Sequence, residues 1–294
     1  MSKTFSLGLV GFPLGHSLSP QIHQAALQAT GLQGDYHLHP VAATSNGHAQ
    51  LRSLLFRLRH EEIQGLNVTI PHKQTILSYV DELTESAQAI GAVNTLYSPA
   101  GLVIGDNTDA PAFRNELRKL EGLSRPGMAM VLGAGGSARA VVYALLCEDW
   151  QVHVHARKPQ QAQELASHFD RRVQAFALRI ETLRENAADC SLVINTTPVG
   201  MAPEATASPW PEDLELPDQA AIYDLVYNPG KTRFIAHALA QGRVARSGGG
   251  LLVEQAALSF ECWTGRAAPR DIMRQVFDKQ LALEEAQSGL GSAA

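Results

Sequence analysis

The stretch Val131-Leu-Gly-Ala-Gly-Gly-Ser-Ala-Arg-Ala140 decides the fold of this chain, because it places three glycines between two apolar segments. The run before it, Met128–Leu132, has the composition of a buried strand, and Ala138–Leu146 reads as a largely buried helix. A second strand-like run, Val152–Ala156, follows. Glycine also occurs in tight turns for steric reasons alone, but here the pattern predicts a βαβ unit. In such a unit the loop approaches a nucleotide diphosphate and the next helix points its free N–H groups at that anion.

The residues after the second strand indicate which dinucleotide binds. A dinucleotide fold that binds NAD usually carries an acidic residue there, which accepts from the ribose 2′-hydroxyl. This chain has Arg157-Lys158 instead, followed by Pro159 at a predicted helix start. An arginine can donate two parallel hydrogen bonds to a 2′-phosphate, although a basic pair in solvent at a strand end is the alternative interpretation. We therefore predict NADP as the cofactor.

Composition restricts the possible function classes. The 294 residues carry a net charge of −5, with 45% hydrophobic and 18% charged residues, which is typical of a soluble α/β protein of one large or two ordinary domains. No basic field favours nucleic acid or an acidic membrane. The N-terminus lacks the apolar core of a signal peptide, and Cys147, Cys190 and Cys262 are widely spaced at positions that fit a core. We expect a cytoplasmic protein, as a monomer or homodimer.

The order of predicted elements divides the chain into two α/β domains. Strands are predicted at Phe5–Gly11, Asp35–Val41 and Gly65–Ile70, and an amphipathic helix at Thr108–Glu121. Two helices from Leu251 to about Ala286 have apolar faces that we expect to pack back on the first domain. We predict a substrate domain of residues 1–110 and 250–294, and a Rossmann-type, doubly wound NADP-binding domain of residues 111–249.

Several polar side chains of the first domain are spaced so that strand geometry brings them together. An extended backbone places Ser17 and Ser19 on one side, although a serine before Pro20 also reads as a helix N-cap. Asn67 and Thr69 share one face of their strand, and we expect Val68 and Ile70 to enter the core. Pro71 ends the strand, so His72 and Lys73 lie just beyond its carboxyl end. Asn94 adds an amide, and Asp109 adds a carboxylate at the start of the bridging helix. Taken singly, each of these residues is ordinary turn chemistry.

Together these segments resemble the shikimate dehydrogenase family over residues 5 to about 260. The segments that carry the resemblance occur in one order along the chain: Gly11-Phe-Pro-Leu-Gly-His-Ser-Leu-Ser-Pro20, Asn67-Val-Thr-Ile-Pro-His-Lys73, Gly91-Ala-Val-Asn-Thr95, Asn107-Thr-Asp109, Gly133-Ala-Gly-Gly-Ser-Ala-Arg139, Asn195-Thr-Thr-Pro-Val-Gly-Met201, Asp224-Leu-Val-Tyr-Asn-Pro229 and Gly250-Leu-Leu-Val-Glu-Gln255. The resemblance implies reversible, NADPH-dependent reduction of 3-dehydroshikimate to shikimate, a step of aromatic amino acid biosynthesis.

The resemblance also implies a role for each matching residue. Lys73 and Asp109 would form the catalytic pair. The substrate carboxylate and hydroxyls would be bound by Ser17, Ser19, Asn67, Thr69, Asn94, Tyr227 and Gln255. The cofactor would be bound by Gly133, Ala134, Gly135, Gly136, Ser137, Ala138, Arg157, Lys158, Thr196, Thr197, Met201 and Gly248.

Elementary chemistry supports the catalytic pair independently. Oxidising a secondary alcohol with a nicotinamide cofactor requires a proton to leave the oxygen as hydride leaves the carbon, and a lysine beside that oxygen can accept the proton. Its positive charge also polarises the carbonyl in the reverse direction, and no metal is needed for this. Pairs such as His37 with His39 and His153 with His155 share strand faces, but two ligands do not make a metal site, so we predict no metal.

Two alternatives remain open from the sequence. A quinate/shikimate dehydrogenase that uses both NAD and NADP would carry the same motifs. A non-catalytic ligand sensor on the same fold would have lost Lys73, Asp109 or the glycine loop, and this chain keeps all three.

Overall fold

The computed structural model describes residues 4–120, 123 and 126–288, which form two compact units. The first unit contains the chain up to Ala112 together with Leu252–Leu283, and the second contains Phe113–Leu251 and the described residues from Glu284 onward. Within the described ranges no helix is long and apolar enough to span a bilayer. Which ligand each unit binds stays a prediction at this point.

The chain up to Leu117 builds a mixed sheet with helices. Its elements are β1 (Thr4–Gly11), α1 (Ser19–Ala29), β2 (Gln33–Pro40), α2 (Ser45–Arg59), β3 (Gly65–Val68), β4 (Glu82–Leu83), α3 (Glu85–Ile90), β5 (Thr95–Tyr97), β6 (Ile104–Asp106) and α4 (Asp109–Leu117). The six strands lie in the order β2-β1-β3-β5-β6-β4. β1 pairs in parallel with β2 and β3, and β4 with β6, whereas β5 is antiparallel to β3 and β6. Val10, Leu66 and Val68 bury their side chains against leucines of α2.

The middle of the chain builds a fully parallel sheet. Its elements are β7 (Met128–Leu132), α5 (Gly136–Cys147), β8 (Gln151–Ala156), α6 (Pro159–His168), β9 (Val173–Ala177), α7 (Ile180–Glu185), β10 (Cys190–Asn195), β11 (Ala221–Asp224), α8 (Arg233–Ala240) and β12 (Ala245–Ser247). Two further helices follow, α9 (Gly249–Thr264) and α10 (Arg270–Ser288).

The strand order of this second sheet, β12-β11-β10-β7-β8-β9, is that of a doubly wound dinucleotide-binding fold. Numbered along the chain from one to six, its strands run 6-5-4-1-2-3, and the order reverses between β7 and β10. Ligands of such sheets bind at the carboxyl ends of the strands beside that reversal. Leu132, Val193 and Ile222 are buried because helices cover a parallel sheet on both faces. The predicted Rossmann-type class is therefore confirmed.

Several local predictions differ from the structure. β3 ends at Val68, because Thr69–His72 forms a turn in which the His72 N–H donates to the Thr69 carbonyl. Ile70 consequently lies in the turn with 52% of its surface exposed, so its expected burial was wrong. Of the three cysteines, Cys190 is buried, whereas Cys147 and Cys262 lie on exposed positions of their helices.

Helix ends also differ from the predicted ones. α1 begins at Ser19 itself, and the N-cap position is held by Leu18 in a helical conformation (φ −85°, ψ −1°). Ser19 is therefore not an N-cap, and the backbone between Ser17 and Ser19 is not extended as expected. α4 ends at Leu117, before the predicted end at Glu121, which lies outside the described residues, as do residues 289–294 of the predicted substrate domain.

Candidate active site

Lys73 and Asp109 form an ion pair at the centre of the polar cluster in the first unit. Lys73 Nζ lies 2.5 Å from Asp109 Oδ2, and each side chain is only 12% exposed. Asp109 is the first residue of α4, where the helix dipole favours a carboxylate. The Lys73 backbone is held in place because its carbonyl accepts from the Val93 N–H at 2.8 Å. The preceding His72 bonds through Nε2 to the Val41 carbonyl at 2.7 Å, so the ring anchors the loop that carries the lysine.

Asn94 fixes the other oxygen of the same carboxylate. Its Nδ2 donates to Asp109 Oδ1 at 2.8 Å, while its Oδ1 accepts from the Thr108 N–H at 2.7 Å. The amide also lies 3.4 Å from Gln255 Oε1, which brings α9 to the cluster. Asp109 is thus held by the lysine on one oxygen and by the amide on the other. The structure brings together four of the predicted residues: Lys73, Asn94, Asp109 and Gln255.

The buried hydroxyls of Thr95, Thr108 and Ser259 form hydrogen bonds next to this cluster. Ser259 Oγ lies 2.8 Å from Thr95 Oγ1 and 3.1 Å from Thr108 Oγ1, and it donates to the Gln255 carbonyl at 2.9 Å. Asn67 Nδ2 donates to the same Ser259 oxygen at 2.9 Å. The sequence prediction missed this group. Thr95 and Thr108 adjoin predicted residues, and Ser259 lies one helical turn after Gln255, so their positions carried a signal.

Two further buried side chains, Tyr36 and His23, lie next to Asn67 and Ser19. The Tyr36 hydroxyl donates to Asn67 Oδ1 at 2.9 Å, and the His23 ring stacks on Tyr36 at 4.4 Å with an interplanar angle of 4°. Burial raises the pKa of Tyr36 well above its usual value, opposed by a hydrogen bond with the Ser19 side chain. Burial lowers the pKa of His23 to about 3, and neither ring nitrogen has a hydrogen-bond partner among the described residues. Tyr36 therefore connects two of the predicted substrate-binding residues.

Ser17 and Thr69, the remaining predicted residues of the first unit, are half-buried. Ser17 Oγ accepts from the Ser19 N–H at 3.3 Å, so the two serines are adjacent although Leu18 between them is helical. The Thr69 N–H donates to the Val10 carbonyl at 2.9 Å. A Cβ on Gly11 would lie 2.3 Å from Thr69 Cγ2, so only glycine allows β1 to approach Thr69 this closely.

The glycine loop of the second unit follows β7 at the point where the strand order reverses. Gly133 has φ +112°, and a Cβ there would lie 2.5 Å from Thr196 Oγ1, so this position requires glycine. Gly135 precedes α5 as its N-cap, and no protein atom lies within 4 Å of the place where its Cβ would be. No side chain caps this helix, whose first turn contains Gly136, Ser137 and Ala138. The open space above Gly135 and the uncapped helix fit a diphosphate.

The basic pair lies at the carboxyl end of β8. Arg157 and Lys158 are both exposed, and neither forms an ion pair with any residue in the described ranges. Two exposed, unneutralised cations beside the glycine loop fit the 2′-phosphate of NADP.

The other predicted cofactor residues follow neighbouring strands. Thr196 Oγ1 donates to the Leu132 carbonyl at 2.8 Å, and Thr197 Oγ1 donates to Asn195 Oδ1 at 2.7 Å. Ala134 lies in the glycine loop, and Met201 and Gly248 follow β10 and β12. Tyr227, the predicted substrate-binding residue of the second unit, follows β11. A Cβ on Gly248 would lie 2.1 Å from the Leu225 carbonyl oxygen, so the loops after β11 and β12 touch there.

The histidine pair on β8 belongs to the packing of the second sheet. The His155 ring stacks on Phe176 at 5.1 Å, and the His153 ring lies 4.8 Å from the same phenyl group. Burial lowers the pKa of both imidazoles, that of His155 to about 4. Among the described residues, no three His, Cys, Asp or Glu side chains are placed to hold a metal ion.

Comparison with known proteins adds a second line of argument. Residues 9–96 match the shikimate dehydrogenase substrate binding domain, and residues 248–276 match the shikimate 5′-dehydrogenase C-terminal domain. The shikimate dehydrogenase (NADP(+)) of Salinibacter ruber is 40% identical over 269 residues, which cover 89% of this chain and 93% of the relative.

Solved structures align with this chain over nearly its whole length. Shikimate 5-dehydrogenase from Thermus thermophilus, in complex with NADP(H) and shikimate, aligns over 94% of this chain and 99% of its own with a TM-score of 0.82 and 37% identity. Quinate dehydrogenase from Corynebacterium glutamicum, in complex with NAD, aligns over 94% of this chain and 98% of its own with a TM-score of 0.83 and 28% identity.

Proposed function

The chain belongs to the shikimate dehydrogenase family, and we propose that it catalyses the reversible reduction of 3-dehydroshikimate to shikimate with NADPH. It is an NADP-dependent oxidoreductase that acts on a secondary alcohol, as its curated relatives are. The family places this reaction in aromatic amino acid biosynthesis.

The observation that carries the proposal is the buried pair of Lys73 and Asp109. A protonated amine 2.5 Å from a carboxylate, both mostly shielded from solvent, is a proton donor held in one place. Asn94 occupies the second carboxylate oxygen, so Asp109 cannot rotate without breaking a 2.8 Å hydrogen bond. A structural ion pair on a surface would need none of this support.

We infer the following roles for the pair. During reduction the Lys73 ammonium faces the carbonyl oxygen, polarises it and donates a proton to the alkoxide oxygen that develops. During oxidation the neutral amine accepts that proton from the substrate hydroxyl. Asp109 acts on the amine, which it orients and whose charge it balances. When bound, NADPH supplies the hydride for the carbonyl carbon, and NADP⁺ accepts it in the reverse direction.

We assign the substrate contacts to the polar residues that the family resemblance singles out. Ser17 and Ser19 would bind the substrate carboxylate through their hydroxyls. The ring hydroxyls would be bound or enclosed by Asn67, Thr69, Asn94, Tyr227 and Gln255. Support for this assignment comes from the hydrogen bonds that already join Asn94 to Gln255 and Tyr36 to Asn67, because they hold the side chains in fixed directions.

We assign the cofactor to the glycine loop of the second unit. The N–H groups from Gly135 to Ala138 would hold the diphosphate at the start of α5, with Gly133 and Ala134 completing the turn. Arg157 and Lys158 would bind the 2′-phosphate. Thr196, Thr197, Met201 and Gly248 would line the remainder of the site.

Two finer expectations belong to the same proposal. We propose that the protein acts in the cytoplasm, supported by its net charge of −5 and by three cysteines that are all free thiols. We also propose that it is a monomer or a homodimer, with one complete set of the assigned residues in each chain.

A spectrophotometric assay at 340 nm tests the function. Shikimate and quinate are each supplied with NADP⁺ and with NAD⁺, and we expect the highest kcat/KM with shikimate and NADP⁺. The Lys73→Ala protein, purified in the same way, measures activity from contaminating enzymes. Equal or higher kcat/KM with quinate and NAD⁺ would replace this function by that of a quinate dehydrogenase, and no turnover of either substrate would refute both.

A further inference from the structure

Asp224 is a buried carboxylate at the carboxyl end of β11, outside the catalytic pair and outside the assigned ligand contacts. It accepts three hydrogen bonds from three separate segments of the second unit. Asn195 Nδ2 donates at 2.8 Å, the Val226 N–H at 3.0 Å and Thr232 Oγ1 at 2.6 Å. The side chain has no exposed surface, so these three donors replace its hydration.

The bond to Asn195 connects Asp224 with the loop after β10. Asn195 Oδ1 accepts from both the N–H and the hydroxyl of Thr197, at 3.0 and 2.7 Å. Asn195 Nδ2 also donates to the Val199 carbonyl at 3.3 Å, so the Asn195 side chain forms hydrogen bonds with both Thr197 and Val199 of this turn. The turn begins with Thr196, whose Oγ1 lies 2.5 Å from where a Cβ of Gly133 would be. The orientation of the Asn195 amide therefore fixes the wall against which the glycine loop rests.

The bond to Thr232 connects the same carboxylate with a helix. Thr232 Oγ1 donates to Asp224 Oδ2 and accepts from the Ile235 N–H at 3.2 Å, which makes it the N-cap of α8. The hydrogen bond from the Val226 N–H to Asp224 holds the start of the loop that contains Tyr227. One carboxylate thus joins the ends of β10 and β11 to the start of α8.

The three hydrogen bonds favour the charged form of Asp224, whereas its burial disfavours it. Burial raises its pKa to about 6, opposed by the hydrogen bonds from Thr232, Val226 and Asn195. The pKa of Asp224 is not shifted by any titratable side chain on the neighbouring elements. In the described part of the chain, the titratable side chains on those elements are Cys190, Tyr223, Tyr227, Lys231, Arg233, His237 and Arg246. A protonated carboxyl carries an O–H donor and can no longer accept from all three groups, so the bond with Thr232 would have to reverse its direction or be lost.

We propose that Asp224, as the carboxylate, is a positioning residue for the cofactor: it orients Asn195 and so holds the Thr196-Thr197 turn in the arrangement that binds NADP. The inference rests on the proposed function, since it assumes that the glycine loop is the cofactor site. Asp224 touches neither ligand and acts only through Asn195 and Thr232.

Binding of NADP⁺ to the whole protein, measured by calorimetry between pH 5 and pH 8, tests this role. At pH 8 we expect Asp224→Asn to raise the Kd roughly tenfold, because a buried charge-assisted acceptor is lost. As pH falls through about 6 the wild-type carboxyl becomes protonated as well, so the ratio of the two Kd values falls toward one. The 2′-phosphate of the ligand titrates in both experiments and cancels in the ratio.

Matched variants separate positioning from general damage. Thr232→Ser keeps the hydroxyl and should keep the wild-type Kd, whereas Thr232→Val removes the donor and should weaken binding in the same direction as Asp224→Asn. Asp213→Asn, at an exposed acid of the same unit, should leave the Kd unchanged at every pH. The Thr232 pair also provides the decisive comparison if Asp224→Asn does not fold.

The outcomes distinguish this inference from the proposed function. Wild-type binding by a folded Asp224→Asn protein at pH 8, a Kd ratio that is the same at pH 5 and pH 8, or equal Kd values for Thr232→Ser and Thr232→Val would each overturn the positioning role. These results would leave the function intact, because wild-type protein would still bind NADP⁺. Wild-type protein that bound no NADP⁺ would refute the function and, with it, this inference.

Discussion

The two units present the residues proposed to bind ligands in opposite ways. In the first unit the candidate site consists of side chains, and Lys73, Asn94 and Asp109 hold one another through hydrogen bonds shielded from solvent. In the second unit it consists of backbone, with an open space at Gly135 and two exposed basic side chains, Arg157 and Lys158, nearby. The first site is held in place by its own hydrogen bonds, whereas the second offers N–H groups and charge.

This difference follows from what each ligand demands. A proton transfer requires one atom at a defined place, so side chains must be fixed by their neighbours. A diphosphate spreads its charge over several oxygens, and an uncapped helix start with glycines can meet it without any side chain. The first site should therefore be sensitive to removing side-chain atoms, and the glycine loop of the second to adding atoms.

Removal of the Lys73 amine should give the largest effect. We expect Lys73→Ala to lower kcat by roughly 10²–10⁴-fold, the usual range for a single general acid–base group. The KM for shikimate should change much less, because the serines, the asparagines and Gln255 remain. Steady-state kinetics with shikimate and NADP⁺ provides the measurement. Lys279→Ala, at an exposed lysine of the same unit, is the control and should retain wild-type kcat. Near-normal turnover by folded Lys73→Ala protein would end the proposed mechanism.

Loss of the Arg157 guanidinium should affect one cofactor and spare the other. We expect Arg157→Ala to raise the KM for NADP⁺ by about 10- to 150-fold, which corresponds to roughly 1.5–3 kcal/mol for a charge-assisted contact. The KM for NAD⁺, which has no 2′-phosphate, should stay within about twofold of wild type. Arg171→Ala, at another exposed arginine of the second unit, should leave both values unchanged. An equal rise for NAD⁺ would mean that Arg157 does not read the 2′-phosphate.

The sequence predicted the second unit better than the first, for physical reasons. β7 has the predicted bounds, Met128–Leu132, because a parallel sheet covered on both faces requires an uninterrupted apolar run. The first sheet contains β4, β5 and β6, which are only two or three residues long, too short for any periodicity. The turn at Thr69–His72 likewise left Ile70 in solvent, against the strand pattern.

The candidate site could be predicted only in part. Lys73, Asn94 and Asp109 belong to motifs whose order along the chain resembles a known family. The hydroxyl of Ser259 meets that of Thr95 across 164 positions of sequence, and no local pattern encodes such a contact. Asp224 stands in a quoted motif, but its three donors become visible only when the ends of β10 and β11 lie side by side.

Adding one methyl group should separate ligand binding from stability in the glycine loop. Gly135 has φ −86°, which alanine adopts freely, and a Cβ there meets no protein atom. Gly135→Ala should therefore cost at most about 1 kcal/mol of unfolding free energy, yet raise the Kd for NADP⁺ about tenfold by occupying the diphosphate space. Gly133→Ala is the matched variant: with φ +112° and Thr196 in contact, it should lose roughly 1–3 kcal/mol of stability. Unaltered NADP⁺ binding by Gly135→Ala, measured by calorimetry, would show that the diphosphate does not bind at this loop.

Acid should act with opposite sign on buried groups of the two units. Burial lowers the pKa of His23 in the first unit from 6.5 to about 3. Between these two pH values the histidine is protonated in the unfolded chain but neutral in the folded chain. Its contribution to stability is therefore lost as pH falls, at up to about 1.4 kcal/mol per pH unit. Asp224 in the second unit has its pKa raised from 3.8 to about 6, so between these values the folded chain binds the extra proton and acidification favours folding.

Urea unfolding of the wild type and two variants between pH 4.5 and pH 7 isolates each contribution, although His155, with its pKa near 4, adds to the acid sensitivity of the second unit. His23→Phe should flatten the fall in stability toward low pH, because the group that binds the proton only in the unfolded chain is gone. Asp224→Asn should steepen the same fall, because an opposing contribution is removed. The slope with pH, rather than stability at one pH, is the informative quantity, since either substitution can also change packing. His60→Gln, at an exposed histidine, should leave the slope unchanged. Equal slopes for wild type, His23→Phe and Asp224→Asn would mean that neither buried group titrates differently in the folded and unfolded chains.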